Sequence, residues 1–279
     1  MPTAKVNGVD IYYEETGEGF PLIFSHEFAG TYKSWEPQVR FLSRRYRVIT
    51  YNQRGFPPSG VPERASAYSQ DILVEDLYQL LRHLGIGQAY VGGCSMGGNV
   101  ALNFGLVHPE MTRALIIVAT GAGTTGRDVF EPRLEQTARQ IEAEGWEVLA
   151  EFYAKEPNRV QLGRKDPRGY REFIDDLAAH SDKGSVHLIK EVILKRPPLI
   201  ALEDRMRQCK VPTLIIIGDE DEMCIDPALI MKKNMPGAGL LVLPQTGHAV
   251  NLEDPDIFNR AVLDFLTAVE AGKWVVRRI

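Results

Sequence analysis

Three features of the chain predict an α/β fold, a mostly parallel sheet flanked by helices with a helical insertion between two of its strands. Short apolar runs alternate with helical patterns up to residue 118, the order that gives right-handed parallel crossovers. One of these runs, Ala89-Tyr90-Val91, breaks off into Gly92-Gly93-Cys94-Ser95-Met96-Gly97-Gly98, and a helical pattern follows at once. The alternation then stops over residues 121–209 and resumes after Pro212. A segment of that length is not one connecting loop. Residues 1–120 and 210–279 therefore form the predicted core, and 121–209 a separate helical unit packed on it.

The elements follow in order. Residues 6–16 read as a hairpin turning at Asn7-Gly8, a pair suited to a tight two-residue turn. Leu22-Ile23-Phe24 is a short buried strand leading into Ser25-His26-Glu27-Phe28-Ala29-Gly30. Trp35, Val39 and Leu42 set a helix over residues 35–44, and the next strand covers 47–51. Residues 68–84 form a long amphipathic helix with Ile72, Leu73, Leu77, Leu80, Leu81 and Leu84 on one side. After the strand at 89–91 comes a helix to about residue 107, then a strand at 114–118. The insertion shows helical patterns at 133–154, 169–179 and 185–194, and Pro197-Pro198 marks its rigid exit. Strands at 212–217 and 240–243 alternate with helices at 227–234 and 255–270.

The composition excludes several classes of function. Hydrophobic residues make up 44% and charged residues 25%, ordinary values for a globular chain. A formal charge of -5 gives no electrostatic case for nucleic acid or an anionic membrane. The cysteines (Cys94, Cys209 and Cys224) are too few and too scattered for a disulfide framework or a zinc motif. Neither a signal-peptide core nor a membrane-length apolar run is present. A reduced, cytoplasmic protein acting on a small molecule is expected. Neither membrane nor nucleic acid is expected as a partner, and a homodimer is left open.

Gly93-Cys94-Ser95-Met96-Gly97 fits the Gly-x-Ser-x-Gly strand-turn-helix elbow. The turn is so tight that a Cβ at either glycine would strike the neighbouring strand or helix. It leaves Ser95 Oγ exposed and aims the Met96 amide at a forming oxyanion. A serine hydroxyl needs a base, and the base an orienting acid. Of six histidines, His248 is best placed, in the loop Gln245-Thr246-Gly247-His248-Ala249 between the last strand and the last helix. His83 and His108 suit the surface, and His180 and His187 fall in the insertion. Ile217-Gly218-Asp219-Glu220-Asp221 offers the acid at the same sheet edge, in the chain order Ser…Asp…His.

On these residues the chain resembles the α/β-hydrolase fold superfamily over nearly its whole length. The matching turns are those at His26, Arg54-Gly55, 93–97, 218–221 and Gly247-His248. The resemblance implies an eight-stranded, mostly parallel sheet, with residues 121–209 in the place of the helical cap. It selects Asp221 over Asp219, since the acid usually lies three residues after the glycine, and it gives Phe28 N–H as the second oxyanion donor beside Met96. The elbow and Ser34-Trp35-Glu36-Pro37-Gln38 resemble the enol-lactonases and the meta-cleavage-product C–C hydrolases.

Three positions depart from the family pattern. His26-Glu27 stands for the usual His-Gly. Asn52-Gln53-Arg54-Gly55-Phe56-Pro57-Pro58-Ser59 carries Asn and Pro where Asp and Gly are usual. Cys94, before the serine, reads as a buried filler. His26 and Glu27 are candidate site-lining residues, with Glu27 expected to turn outward toward Arg54 or the neighbouring loop; the alternative is an inward Glu27 acting as a second acid-base group, its pKa raised by burial. Arg54 is expected to staple its loop. The expected chemistry is hydrolysis of an ester or lactone by Ser95, His248 and Asp221, with no cofactor and no metal. The alternatives are C–C hydrolysis of a dienol-ketone, a ligand receptor, and a cofactor-independent oxygenase. C–C substrates and enol-lactones carry carboxylates and want a cap arginine. Arg159, Arg164, Arg168 and Arg171 are available but are expected to be solvated.

Overall fold

A computed structural model describes residues 2–277. Eight strands, β1 (Thr3–Val6), β2 (Val9–Thr16), β3 (Phe20–Ser25), β4 (Tyr46–Tyr51), β5 (Ala89–Cys94), β6 (Thr112–Val118), β7 (Thr213–Gly218) and β8 (Ala238–Leu243), form one sheet in the order β1-β2-β4-β3-β5-β6-β7-β8. β2 runs antiparallel to both β1 and β4, and the remaining neighbours are parallel. Asn7 and Gly8 turn the first hairpin with φ of 46° and 73°, the left-handed pair that matches strand twist. β5 and β7 are buried along their whole length, as parallel strands covered on both faces should be.

Among the described residues twelve α-helices accompany the sheet: α1 (Glu36–Leu42), α2 (Gln70–His83), α3 (Met96–Val107), α4 (Arg127–Glu144), α5 (Trp146–Ala154), α6 (Val160–Lys165), α7 (Pro167–Ala178), α8 (Asp182–His187), α9 (Glu203–Gln208), α10 (Glu222–Asn234), α11 (Val250–Glu253) and α12 (Pro255–Glu270). α2 starts where Ser69 accepts from Ile72 N–H at 3.1 Å, a side-chain cap. α4 to α9 lie between β6 and β7, with α5 packed on α4 and α7, and α4 on α8. No helix among the described residues is long and apolar enough to cross a membrane.

The insertion is broken more finely than its periodicity suggests. The helix expected over 133–154 is two helices, because Gly145 adopts φ 76°. Asp182 then accepts from Trp146 N–H at 2.8 Å and fixes the new start. α6 falls outside every predicted helix, and α7 begins on an Asp166 cap with Pro167 in its first position. Beyond α8 the chain continues as a π-helical turn, Leu188–Ile193. α10 starts at Glu222, five residues ahead of Pro227, where the sequence pattern placed its beginning.

Candidate active site

The sheet brings the ends of β3, β5, β7 and β8 to one edge, and the predicted residues collect there. β5 leads into α3 through Ser95, which sits at φ 53° and ψ -110°, a conformation that L-residues hold only under strain. The flanking glycines are required by close approach. A Cβ on Gly93 would lie 2.2 Å from Gly97 O, and one on Gly97 would lie 2.2 Å from Ser25 O at the end of β3. The elbow therefore wedges between its own helix and the neighbouring strand, as the sequence pattern demands. Met96 is the first residue of α3, so its N–H has no intrahelical partner.

Asp221 follows β7 and is buried; Asp219, two residues earlier, is exposed. Asp221 Oδ2 lies 2.7 Å from His248 Nδ1, and its Oδ1 accepts from Asn158 Nδ2 at 3.3 Å. Burial opposes both charges, yet each partner overcomes it for the other. The His248 cation holds the Asp221 carboxyl below its usual range, and the Asp221 charge and hydrogen bond carry His248 above its usual range. The His248 backbone is pinned as well, since its N–H donates to Asn158 O at 2.7 Å and its carbonyl faces Cys94 Sγ at 3.8 Å.

A narrow cavity of about 80 Å³ is lined by Phe28, Ser95, Met96, Tyr153, Arg159 and His248, among others. It thus gathers the candidate nucleophile, base and both candidate oxyanion residues. A larger open groove of about 760 Å³ lies among Arg113, Arg205, Cys209, Lys210 and Trp274; none of the predicted site residues lines it.

Three expectations fail, those for Glu27, Arg159 and His26. Glu27 is not turned outward; its side chain is 4% exposed and accepts from Arg159 Nη2 at 2.8 Å. Its Oε2 lies 3.9 Å from His248 Nε2. Burial alone would raise its pKa, but the Arg159 charge prevails and holds the carboxyl below its usual range. Arg159, expected in solvent, is 5% exposed and stacks with the Tyr153 ring at 4.7 Å and the Phe173 ring at 5.5 Å. Arg164, Arg168 and Arg171 are exposed as expected. Arg54 bonds not Glu27 but Asp76, at 2.6 Å and 2.5 Å, and the carbonyls of Ala67 and Asn7. It staples its loop, as anticipated. Asn52 also serves structure here, accepting from Tyr32 N–H at 2.7 Å and donating to Pro57 O at 2.7 Å.

His26 is buried and works on the backbone beside the cavity rather than lining it. Its Nε2 accepts from Gln53 N–H at 3.1 Å, so Nδ1 carries the proton donated to Glu27 O at 2.7 Å. Burial pushes its pKa down to about 4, consistent with that neutral tautomer. Cys94 is a buried free thiol, raised well above its usual pKa by burial. Asp221, Cys224 and His248 place three polar atoms within 4.8 Å of one another. Asp221 and His248 are hydrogen-bonded to each other there through Oδ2 and Nδ1.

Glu253, absent from the predicted site, clamps the His248 loop from both sides. It accepts Gly247 N–H at 2.6 Å and Ala249 N–H at 3.0 Å. Burial pushes its pKa up to about 7 despite those bonds. Its sequence signal was its place five residues after His248, at the end of a short helix. Glu253→Gln cannot accept through its amide nitrogen, so it loses one bond, costing about 1–3 kcal/mol. Turnover should fall by about 10²-fold as His248 shifts, measurable as kcat with the fold checked by circular dichroism. A carboxyl with a raised folded pKa stabilises while protonated and loses that contribution as pH rises through the folded value. The stability of wild type relative to this variant should therefore fall between about pH 4.5 and 7, as read by urea unfolding.

A sequence model of the alpha/beta hydrolase fold matches residues 21–255. The 2-hydroxy-6-oxononadienedioate/2-hydroxy-6-oxononatrienedioate hydrolase of Comamonas testosteroni is 32% identical, over 92% of this chain and 91% of its own. The enol-lactonase of Burkholderia xenovorans superposes with a TM-score of 0.84 at 25% identity, covering 95% of this chain and 100% of its own. A bromoperoxidase from Bacillus anthracis gives 0.81 at 26%, covering 95% and 99%. With the matched segment spanning the elbow, the acid loop and the histidine loop, the chain belongs to the alpha/beta hydrolase fold family.

Proposed function

We propose that the protein is a serine hydrolase that cleaves a carboxylic ester or lactone of a small organic substrate through an acyl-enzyme. One observation carries this most strongly: Ser95, on its strained elbow, lines the same cavity as a His248 whose Nδ1 is held by buried Asp221. Ser95 Oγ attacks the carbonyl while His248 Nε2 takes its proton, and Asp221 stabilises the imidazolium that forms. The amides of Phe28 and Met96 hold the oxyanion. Collapse expels the alcohol with the proton returned by His248, and water repeats the sequence on the acyl-enzyme. No cofactor is needed for these steps, and the helices of 121–209 act as the cap. The small cavity favours short acyl groups.

The same site supports a second reading, C–C hydrolysis of a dienol-ketone acid. Arg196 lines the cavity, is buried, and has no carboxylate in ion-pair distance among the described residues. Its Nη2 donates to Ala122 O at 2.9 Å, and burial pushes its pKa down to about 10. An anionic substrate group would compensate that charge.

A substrate panel separates the readings. Short p-nitrophenyl esters and small lactones should turn over faster than vinylogous diketones; the reverse ranking would transfer the assignment to C–C hydrolysis. Tight binding without turnover of any would indicate a receptor. The base must be neutral to act, and Asp221 raises its pKa. On the ester substrates kcat/KM should therefore fall with decreasing pH on a limb above the ordinary histidine value of 6.5. A limb below that value would mean another base.

A further inference from the structure

The Glu27 carboxylate approaches His248 Nε2, the ring nitrogen that Asp221 does not hold. Glu27 Oε2 and His248 Nε2 are 3.9 Å apart, too far for a direct hydrogen bond and suited to one bridging water. A water oxygen about 2.8 Å from each atom fits that separation. Nε2 is also the atom that must take a proton from water when the acyl-enzyme is hydrolysed.

The surroundings hold the Glu27 carboxylate in place. Its carbonyl accepts from His26 Nδ1 at 2.7 Å and from Gly30 N–H at 3.1 Å, so the backbone is pinned on both sides. Its Oε2 takes Arg159 Nη2, and the guanidinium plane is set by Tyr153 and Phe173. Arg159 also offsets the charge that would otherwise oppose an oxyanion at Phe28. Desolvating such a pair is expensive, and apolar residues of similar volume are often no less stabilising. An ion pair at this position calls for a role beyond packing.

Resting on the serine-hydrolase reading above, we propose that Glu27 is a catalytic residue of deacylation, positioning the hydrolytic water between its carboxylate and His248 Nε2. One water hydrogen is hydrogen-bonded to Glu27 Oε2, and the other passes to His248 Nε2 as the oxygen bonds to the acyl carbon. The tetrahedral adduct then breaks its bond to Ser95 Oγ, which recovers the proton from His248. The carboxylic acid leaves, and Glu27 keeps its charge throughout. Acylation has no such water and does not use Glu27 in this way.

The test is stopped-flow hydrolysis of p-nitrophenyl acetate by wild type, Glu27→Asp and Glu27→Gln, with intact-protein mass spectrometry of the quenched reaction. Glu27→Asp keeps the charge and the Arg159 partner but withdraws the carboxylate by one methylene, so it guards against misfolding of the neutral variant. In both variants deacylation should slow by about 10²-fold more than acylation does. A p-nitrophenolate burst should appear, acetylated Ser95 should accumulate, and hydroxylamine should restore turnover by replacing water. Equal slowing of burst and steady state, or unchanged deacylation in Glu27→Asp, would overturn the assignment of Glu27 alone. Absence of an acyl adduct on Ser95 in all three proteins, with turnover surviving in Ser95→Ala, would overturn the hydrolase reading and this inference with it.

Discussion

Ser95→Ala is expected to lower turnover by about 10⁶-fold, the scale on which a triad nucleophile fails when removed. Alanine keeps the Cβ, so the elbow folds as before and substrate still binds. The residual rate comes from the oxyanion amides and binding alone. The elbow adds a second readout, because Ser95 holds φ 53° and ψ -110°. Glycine reaches that region without a Cβ penalty, so Ser95→Gly should be more stable than Ser95→Ala by about 1 kcal/mol. Urea unfolding of the two inactive variants measures the difference. Equal stabilities would mean that the strain is relieved elsewhere in the turn.

Asp221→Asn is expected to cost about 10⁴-fold in kcat with little change in KM, since an amide facing Nδ1 favours the wrong imidazole tautomer. The asparagine would still fill the buried position, with its Oδ1 still accepting from Asn158 Nδ2. Asp219→Asn should cost less than tenfold, because Asp219 is exposed and only accepts Thr246 N–H at 3.3 Å. The pH profile discriminates further: without Asp221 the limb assigned to His248 should move downward, since the largest charge and the hydrogen bond that oppose burial are then gone. A larger loss in Asp219→Asn would place the acid two residues earlier in the loop.

The sheet and the elbow were legible because their signals are local. An apolar run ending in Gly93 and Gly97 implies a close approach, and the structure supplies it within 2.2 Å at both positions. The proximity of Asp221 and His248 was legible because parallel strands deliver their C-terminal ends to one edge. The buried Glu27–Arg159 pair was not legible. A lone glutamate beside an oxyanion loop reads as solvated, because burying it without a partner is prohibitive. Its partner Arg159 is 132 residues away in a helical segment whose loops carry no periodic signal. Once the fold joins them, both charges become tolerable and the expected orientation reverses. The break at Gly145 was missed for a related reason: helical periodicity continues through residues 133–154, and only a left-handed φ with Asp182 capping the next turn divides it. Glu253 escaped notice because two backbone amides, not a motif, define its task.

Covalent labelling tests the central claim most directly. Incubation with a fluorophosphonate, followed by peptide mapping, should place one phosphonyl group on Ser95, with loss of activity in proportion to labelling. The rate of labelling should fall as pH is lowered through the His248 limb and should be slowed strongly in Asp221→Asn. Labelling at any other residue, or full labelling of Ser95 with undiminished turnover, would contradict a serine nucleophile activated by His248 and Asp221.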